Sequence, residues 1–134
     1  MVQFEAFIAG KRDRPFAWGK QDCCLFAADW VRLVTEVDPA QVLRGKYRTE
    51  LGAKRALKRA GFNAIEEIAN DRLGQSLAPL QLTRGDIALV MNHVDEPTLG
   101  IVWGAIVWVM TPSGVSHLAV DEVIKGWRVS CRQS

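Results

Sequence analysis

The hydrophobic pattern of this chain changes once, near Pro79, and that change limits the folds open to it. Before it, apolar residues recur at helical spacing. Val2 to Ala9 is a short amphipathic segment with Phe4, Phe7 and Ile8 on one side, broken by Arg12-Asp-Arg-Pro15. Asp22 to Val37 is the clearest helix, an apolar run with one polar stripe of Asp29, Arg32 and Glu36, which predicts a largely buried helix. It ends at Asp38-Pro39, because the residue before proline avoids helical geometry. Thr49 to Ala60, capped by Gly61, and Ala64 to Leu73 are predicted as two further helices. After Pro79 the spacing becomes that of strands: Asp86 to Met91, Leu99 to Trp103, Ala105 to Met110, Val115 to Val120 and Trp127 to Cys131, with Thr111-Pro-Ser-Gly114 as a turn. Helices followed by an antiparallel meander predict an α+β fold.

The 134 residues suit a single domain over 1–134, and 49% hydrophobic residues suffice for a core. The longest apolar stretch, Leu99 to Met110, is interrupted by Gly100 and Gly104, so no membrane span is expected. Met1 to Gly10 contains Glu5 and is followed by basic residues, unlike an export signal. Net charge is +2, yet seven basic residues (Arg44, Lys46, Arg48, Lys54, Arg55, Lys58, Arg59) face one acid, Glu50, between 44 and 59. This is read as a solvated helix face; a phosphate or an acidic protein surface is the other reading. No zinc-finger, RNA-binding or phosphate-loop pattern accompanies it, so nucleic acid is not expected as a partner. Cys23, Cys24 and Cys131 are an odd number without metal-ligand spacing, so neither a disulfide framework, a metal nor a cofactor is expected. Five tryptophans (Trp18, Trp30, Trp103, Trp108, Trp127) are many for this length, and at least one is expected to contact another chain.

The chemistry-bearing segment is Pro15-Phe-Ala-Trp-Gly-Lys-Gln-Asp-Cys-Cys-Leu. A glycine loop leads into Asp22, the natural N-cap of the buried helix, and Cys23 falls in its first turn. Unpaired backbone N–H groups and the positive end of the helix dipole favour a thiolate there, and a thiol so placed can have its pKa lowered. The alternative is that Cys23 and Cys24 are small buried apolar residues.

This segment resembles the nucleophile motif of the NlpC-type papain-like cysteine peptidases, in which a Trp/Tyr-Gly loop precedes Asp-Cys. Arg84-Gly-Asp-Ile-Ala-Leu-Val90 is similar to that family's first strand, and Leu99-Gly-Ile-Val-Trp-Gly104 to its next. The matches span roughly residues 15–110, in order. More closely, the chain resembles a group of small NlpC-related phage proteins encoded among tail genes, with Phe16-x-Trp18-Gly19, Asp22-Cys23, Arg44-Gly45-x-Tyr47, Gly85-Asp86 and Trp127-Arg128-Val129 as shared features. The resemblance implies a papain-like fold with N-terminal helices packed on an antiparallel sheet of about five strands. It also implies a protein made in a bacterial host's cytoplasm and carried in the virion, beside other phage tail proteins.

The peptidase also needs an imidazole to take the thiol proton and a polar group to orient it. The aligned histidine position holds Thr98, and the orienting position falls near Val109 to Thr111. Two histidines remain as candidate bases: His93, in the loop Asn92-His-Val-Asp-Glu-Pro97, and His117, on the strand after Gly114. His117 is expected to be a surface or structural residue, and Asp86 a turn-closing carboxylate. The expectation is therefore a degenerate NlpC-like component of a tail tip. The alternative is an active peptidase or amidase on peptidoglycan peptides, with Cys23 as nucleophile, His93 or His117 as base and helix-start N–H groups holding the oxyanion.

Overall fold

The structure, a computed structural model, describes residues 4–92 and 94–129. It has an α+β architecture. Helices α1 (Phe4–Arg12), α2 (Cys23–Thr35), α3 (Glu50–Arg59) and α4 (Ile65–Leu73) precede strands β1 (Ile87–Met91), β2 (Pro97–Trp103), β3 (Ile106–Thr111), β4 (Gly114–Ala119) and β5 (Lys125–Trp127). The sheet is antiparallel, in the order β4-β3-β2-β1-β5.

The sheet has two apolar faces because its strands alternate. Ile87, Leu89, Leu99, Ile101, Met110 and Trp127 face α1 and α2, where they meet Phe4, Ile8, Phe26, Trp30 and Val31. Ala88, Val90, Val102, Val107 and Val109 form the other face, covered by Val123 with Leu82, Leu118 and Val120. The aromatic excess is absorbed here. Phe4 stacks on Trp103 with centroids 4.2 Å apart, and Trp30 meets both edge-on. No tryptophan is exposed: Trp30 and Trp127 are buried, and Trp18, Trp103 and Trp108 are half-buried.

Helix ends follow the sequence closely. Asp22 caps α2, which stops where Glu36 turns left-handed (φ 66°). Thr49 caps α3 through a 2.9 Å bond from the Gly52 N–H. Past its last turn the Gly61 and Phe62 N–H groups bond the Lys58 and Leu57 carbonyls at 2.9 and 3.0 Å, with Gly61 at φ 98°. Two strands differ from expectation by more than one residue. β2 begins at Pro97, so Thr98 lies within the sheet, paired to Val90. The last strand comes earlier than predicted, at Lys125–Trp127, because Gly126 lets it sit close to β1: a Cβ there would strike the Ile87 carbonyl. Cys131 lies outside the described residues.

Candidate functional site

The site is built on the start of α2. Asp22 is 1% exposed, and its carboxylate accepts three hydrogen bonds: from the Leu25 N–H at 2.9 Å, the Gly19 N–H at 2.9 Å and the Tyr47 hydroxyl at 2.6 Å. The first is the N-cap bond expected of this residue. The second closes the loop before the helix. Gly19 holds φ 83°, and a Cβ there would run into the Tyr47 carbonyl, so both its conformation and its contact require glycine. The Gly45 N–H then bonds the Gly19 carbonyl at 3.0 Å, fastening the 45–47 loop beside the 18–20 loop. Tyr47 is the residue whose role the sequence did not reveal. Its one signal was the Arg44-Gly45-x-Tyr47 pattern, which names no contact. Arg44 is drawn inward beside it, bonding Asp29 at 2.7 Å and Asp38 at 2.8 and 3.0 Å, while Lys11 pairs with Asp29 from α1. Arg44 is thus not part of the solvated basic face.

Cys23 is the first residue of α2 and is half-buried. Its thiol faces the Thr98 hydroxyl, which is buried and has no conventional hydrogen-bond partner among the described residues. The helix start alone does not make this thiol acidic. Burial, the largest influence, pushes the Cys23 thiol above its ordinary value. The Thr98 hydroxyl pulls it down, the Asp22 charge pushes it up again, and the N–H groups of Cys24 and Cys23 oppose that weakly. The helix dipole is real, but a buried carboxylate one residue away works against it. The same carboxylate acts on Tyr47, whose phenol is pushed up first by burial and then by the Asp22 charge and hydrogen bond.

Cys24 belongs to a different environment. It lines an apolar cavity of about 30 Å³ between α2, α4 and the β1–β2 pair, with Ala27, Ala28, Ile68 and Leu99 among its walls. That is room for about one water, with no polar group inside to hold it. Burial, followed by the charges of Cys23 and Asp22, pushes its thiol up strongly. Cys24 therefore matches the apolar reading of a buried cysteine.

Of the two candidate bases, His117 does not join Cys23. His117 is exposed on β4, against Trp108 with centroids 5.4 Å apart. It pairs with Trp108, which pairs with Ile101. It is thus two strands across and three residues along from Thr98, on the order of 14 Å by strand spacing and rise. His93 lies outside the described residues. At the orienting position, the Thr111 hydroxyl is engaged in its own hairpin, donating to the Gly114 carbonyl at 2.8 Å. Asp86 closes a turn, as expected: it accepts from the Thr83 N–H at 2.9 Å, Arg128 Nε at 3.0 Å and the Val129 N–H at 3.0 Å. Among the described residues no three His, Cys, Asp or Glu side chains converge where they would hold a metal ion. Nor is any described helix long and apolar enough to cross a membrane.

Fold and site together define an α+β domain with a half-buried cysteine at the start of its central helix, facing a strand hydroxyl. The chain belongs to the family described as Domain of unknown function (DUF6950), whose model matches residues 1–129. No curated protein and no solved structure matches it.

Proposed function

We propose that this chain is a non-hydrolytic NlpC-like domain of papain-like fold, serving as a structural or assembly component of a phage tail tip among other tail proteins. One observation carries the non-hydrolytic part: the Cys23 thiol faces the Thr98 hydroxyl, at the position where the NlpC pattern puts its histidine. A hydroxyl cannot take the thiol proton near neutral pH, and with the thiol pushed up it stays protonated there. The tail assignment rests on the motif resemblance, with Trp18-Gly19, Asp22-Cys23, Tyr47 and Gly85-Asp86 supporting it.

The test is the rate at which a thiol-directed probe labels Cys23 as pH is varied. Slow labelling without an inflection near pH 6–7, together with no cleavage of peptidoglycan fragments, is expected. Thr98→His should then speed labelling at neutral pH and introduce that inflection, because it places an imidazole against the sulfur. In particles, Cys23→Ala should leave infectivity intact. The active-peptidase reading gains if the unaltered protein already labels fast with an imidazole inflection and cleaves fragments in a Cys23-dependent way; His93→Ala would then abolish both.

A further inference from the structure

We propose that copies of this chain associate head to tail, the basic outer face of α3 on one copy meeting the acidic segment around Asp121 and Glu122 on the next. This concerns surfaces remote from the thiol and does not depend on its chemistry.

Charge is unevenly distributed. Residues 44–59 hold seven of the 17 basic residues and one of the 15 acidic ones, net +6 in a chain of net +2, so the remainder is net −4. Arg44 is taken up by Asp29 and Asp38. Lys46, Arg48, Lys54, Arg55, Lys58 and Arg59 are all exposed, and among the described residues none is within ion-pair reach of a carboxylate. Lys54 and Lys58, and Arg55 and Arg59, are like charges four residues apart on one helix, an arrangement that destabilises an isolated helix. A counter-surface would relieve that repulsion.

The same molecule offers one. Asp121 and Glu122 form a short 3-10 turn, exposed and without a basic partner among the described residues. Val120 and Val123, on either side of them, pack on the sheet face turned away from the helices. α3 packs through Ala56 and Leu57 on Tyr47 and Ile68, on the helical side. The two patches therefore lie on opposite sides of the sheet. One copy cannot join its own two patches, whereas successive copies can. Each patch also carries an exposed aliphatic residue, Leu51 (57% exposed) on α3 and Ile124 (46%) beside Glu122. An apolar contact rimmed by opposite charges is the usual anatomy of a protein interface. No aromatic platform for stacking bases is exposed on α3, which favours a protein surface over nucleic acid. A heterologous contact of this kind builds a ring if its rotation closes and a stack if it does not.

Sedimentation equilibrium of the full chain tests this, at up to about 1 mM, enough to detect a millimolar contact. The average mass should exceed the monomer at about 0.01 M salt and fall to the monomer at about 1 M, where the screening length is about 3 Å. Lys58→Glu/Arg59→Glu and Asp121→Lys/Glu122→Lys should each weaken association by about tenfold or more at low salt. An equimolar mixture of the two variants should regain it, because each then presents the complement of the other. All four side chains are exposed, and circular dichroism would verify that the variants stay folded. The proposal is overturned if the unaltered chain is monomeric at every salt concentration, if association survives both reversals, or if mixing fails to restore it. It is equally overturned if the α3 face instead binds a single-stranded oligothymidylate in a way that Lys58→Glu/Arg59→Glu abolishes while association is absent.

Discussion

Two carboxylates, Asp22 and Asp86, are each 1% exposed and each built into a loop just before an element of the core. Both accept a backbone N–H from three residues earlier, Gly19 for Asp22 and Thr83 for Asp86, at 2.9 Å in each case. They differ in what completes the shell. Asp86 receives the Arg128 guanidinium and the Val129 N–H, so its charge is balanced and it ties the segment after β5 to the start of β1. Asp22 receives the neutral Tyr47 hydroxyl and the Leu25 N–H, with no cation among the described residues. Its negative charge is carried by dipoles alone, and it reaches the neighbouring Cys23 and Tyr47. One device thus clamps, while the other clamps and also sets the electrostatics of the thiol.

Removing either carboxylate should have the largest effect. Asp22→Ala orphans the buried Gly19 and Leu25 N–H groups and the Tyr47 hydroxyl, and should lower stability by about 3 kcal/mol in urea unfolding. Asp86→Ala should cost about the same, since it orphans the Thr83 and Val129 N–H groups. A loss under about 1 kcal/mol at either would show that water replaces the donors. The third donors should separate the two. Arg128→Ala leaves a buried charge with no counter-charge and should cost about 2 kcal/mol, although Arg128 itself is half exposed. Tyr47→Phe removes one neutral hydrogen bond and should cost about 1 kcal/mol. Equal losses would mean that Asp86 does not rely on its cation.

Charge removal at constant shape sharpens the contrast. Asp22→Asn takes away an influence that raises the Cys23 thiol, so labelling of Cys23 at neutral pH should quicken. Asp86→Asn should leave that rate unchanged. If both variants quickened labelling, loosening of the fold would be responsible, and the Asp22 charge would not.

Most of the scaffold was legible in the chain. Asp22 before an apolar run announced a capped, buried helix, Thr49 and Gly61 bracketed the next, and the alternation after Pro79 announced an antiparallel sheet. Each is a local signal, carried by backbone preference and periodicity within a few residues. The thiol's environment was legible only in part. That Cys23 opens α2 is local, and the strand match picked out Thr98 in place of a histidine. The direction of the thiol's shift was not local: it depends on burial under the fold and on how Asp22 is neutralised, and Tyr47, 25 residues away, enters only through the tertiary structure. The place of the tryptophans is likewise tertiary, since composition does not show that α1 brings Phe4 over Trp103.

The smallest expected effect is in the alkaline limb of the stability curve. Cys23, Cys24 and Tyr47 are all pushed above their ordinary values by burial and by neighbouring negative charge. Each is an acid that the folded state keeps protonated at pH values where the unfolded chain has already ionised. Their contribution is therefore fully present below the unfolded values, about 8.5 for a thiol and about 10 for a phenol, and is lost as pH rises through and beyond them. The urea midpoint should fall between about pH 8 and about pH 11. Asp22→Asn lessens the upward push on all three groups, so its midpoint should fall less steeply over that range, from a lower starting value. Asp86→Asn should start lower as well but keep the slope of the unaltered protein, because its carboxylate is not among the influences on these groups. Parallel slopes in all three proteins would mean that burial alone holds the thiols and the phenol protonated, and that the uncompensated charge of Asp22 does not reach them.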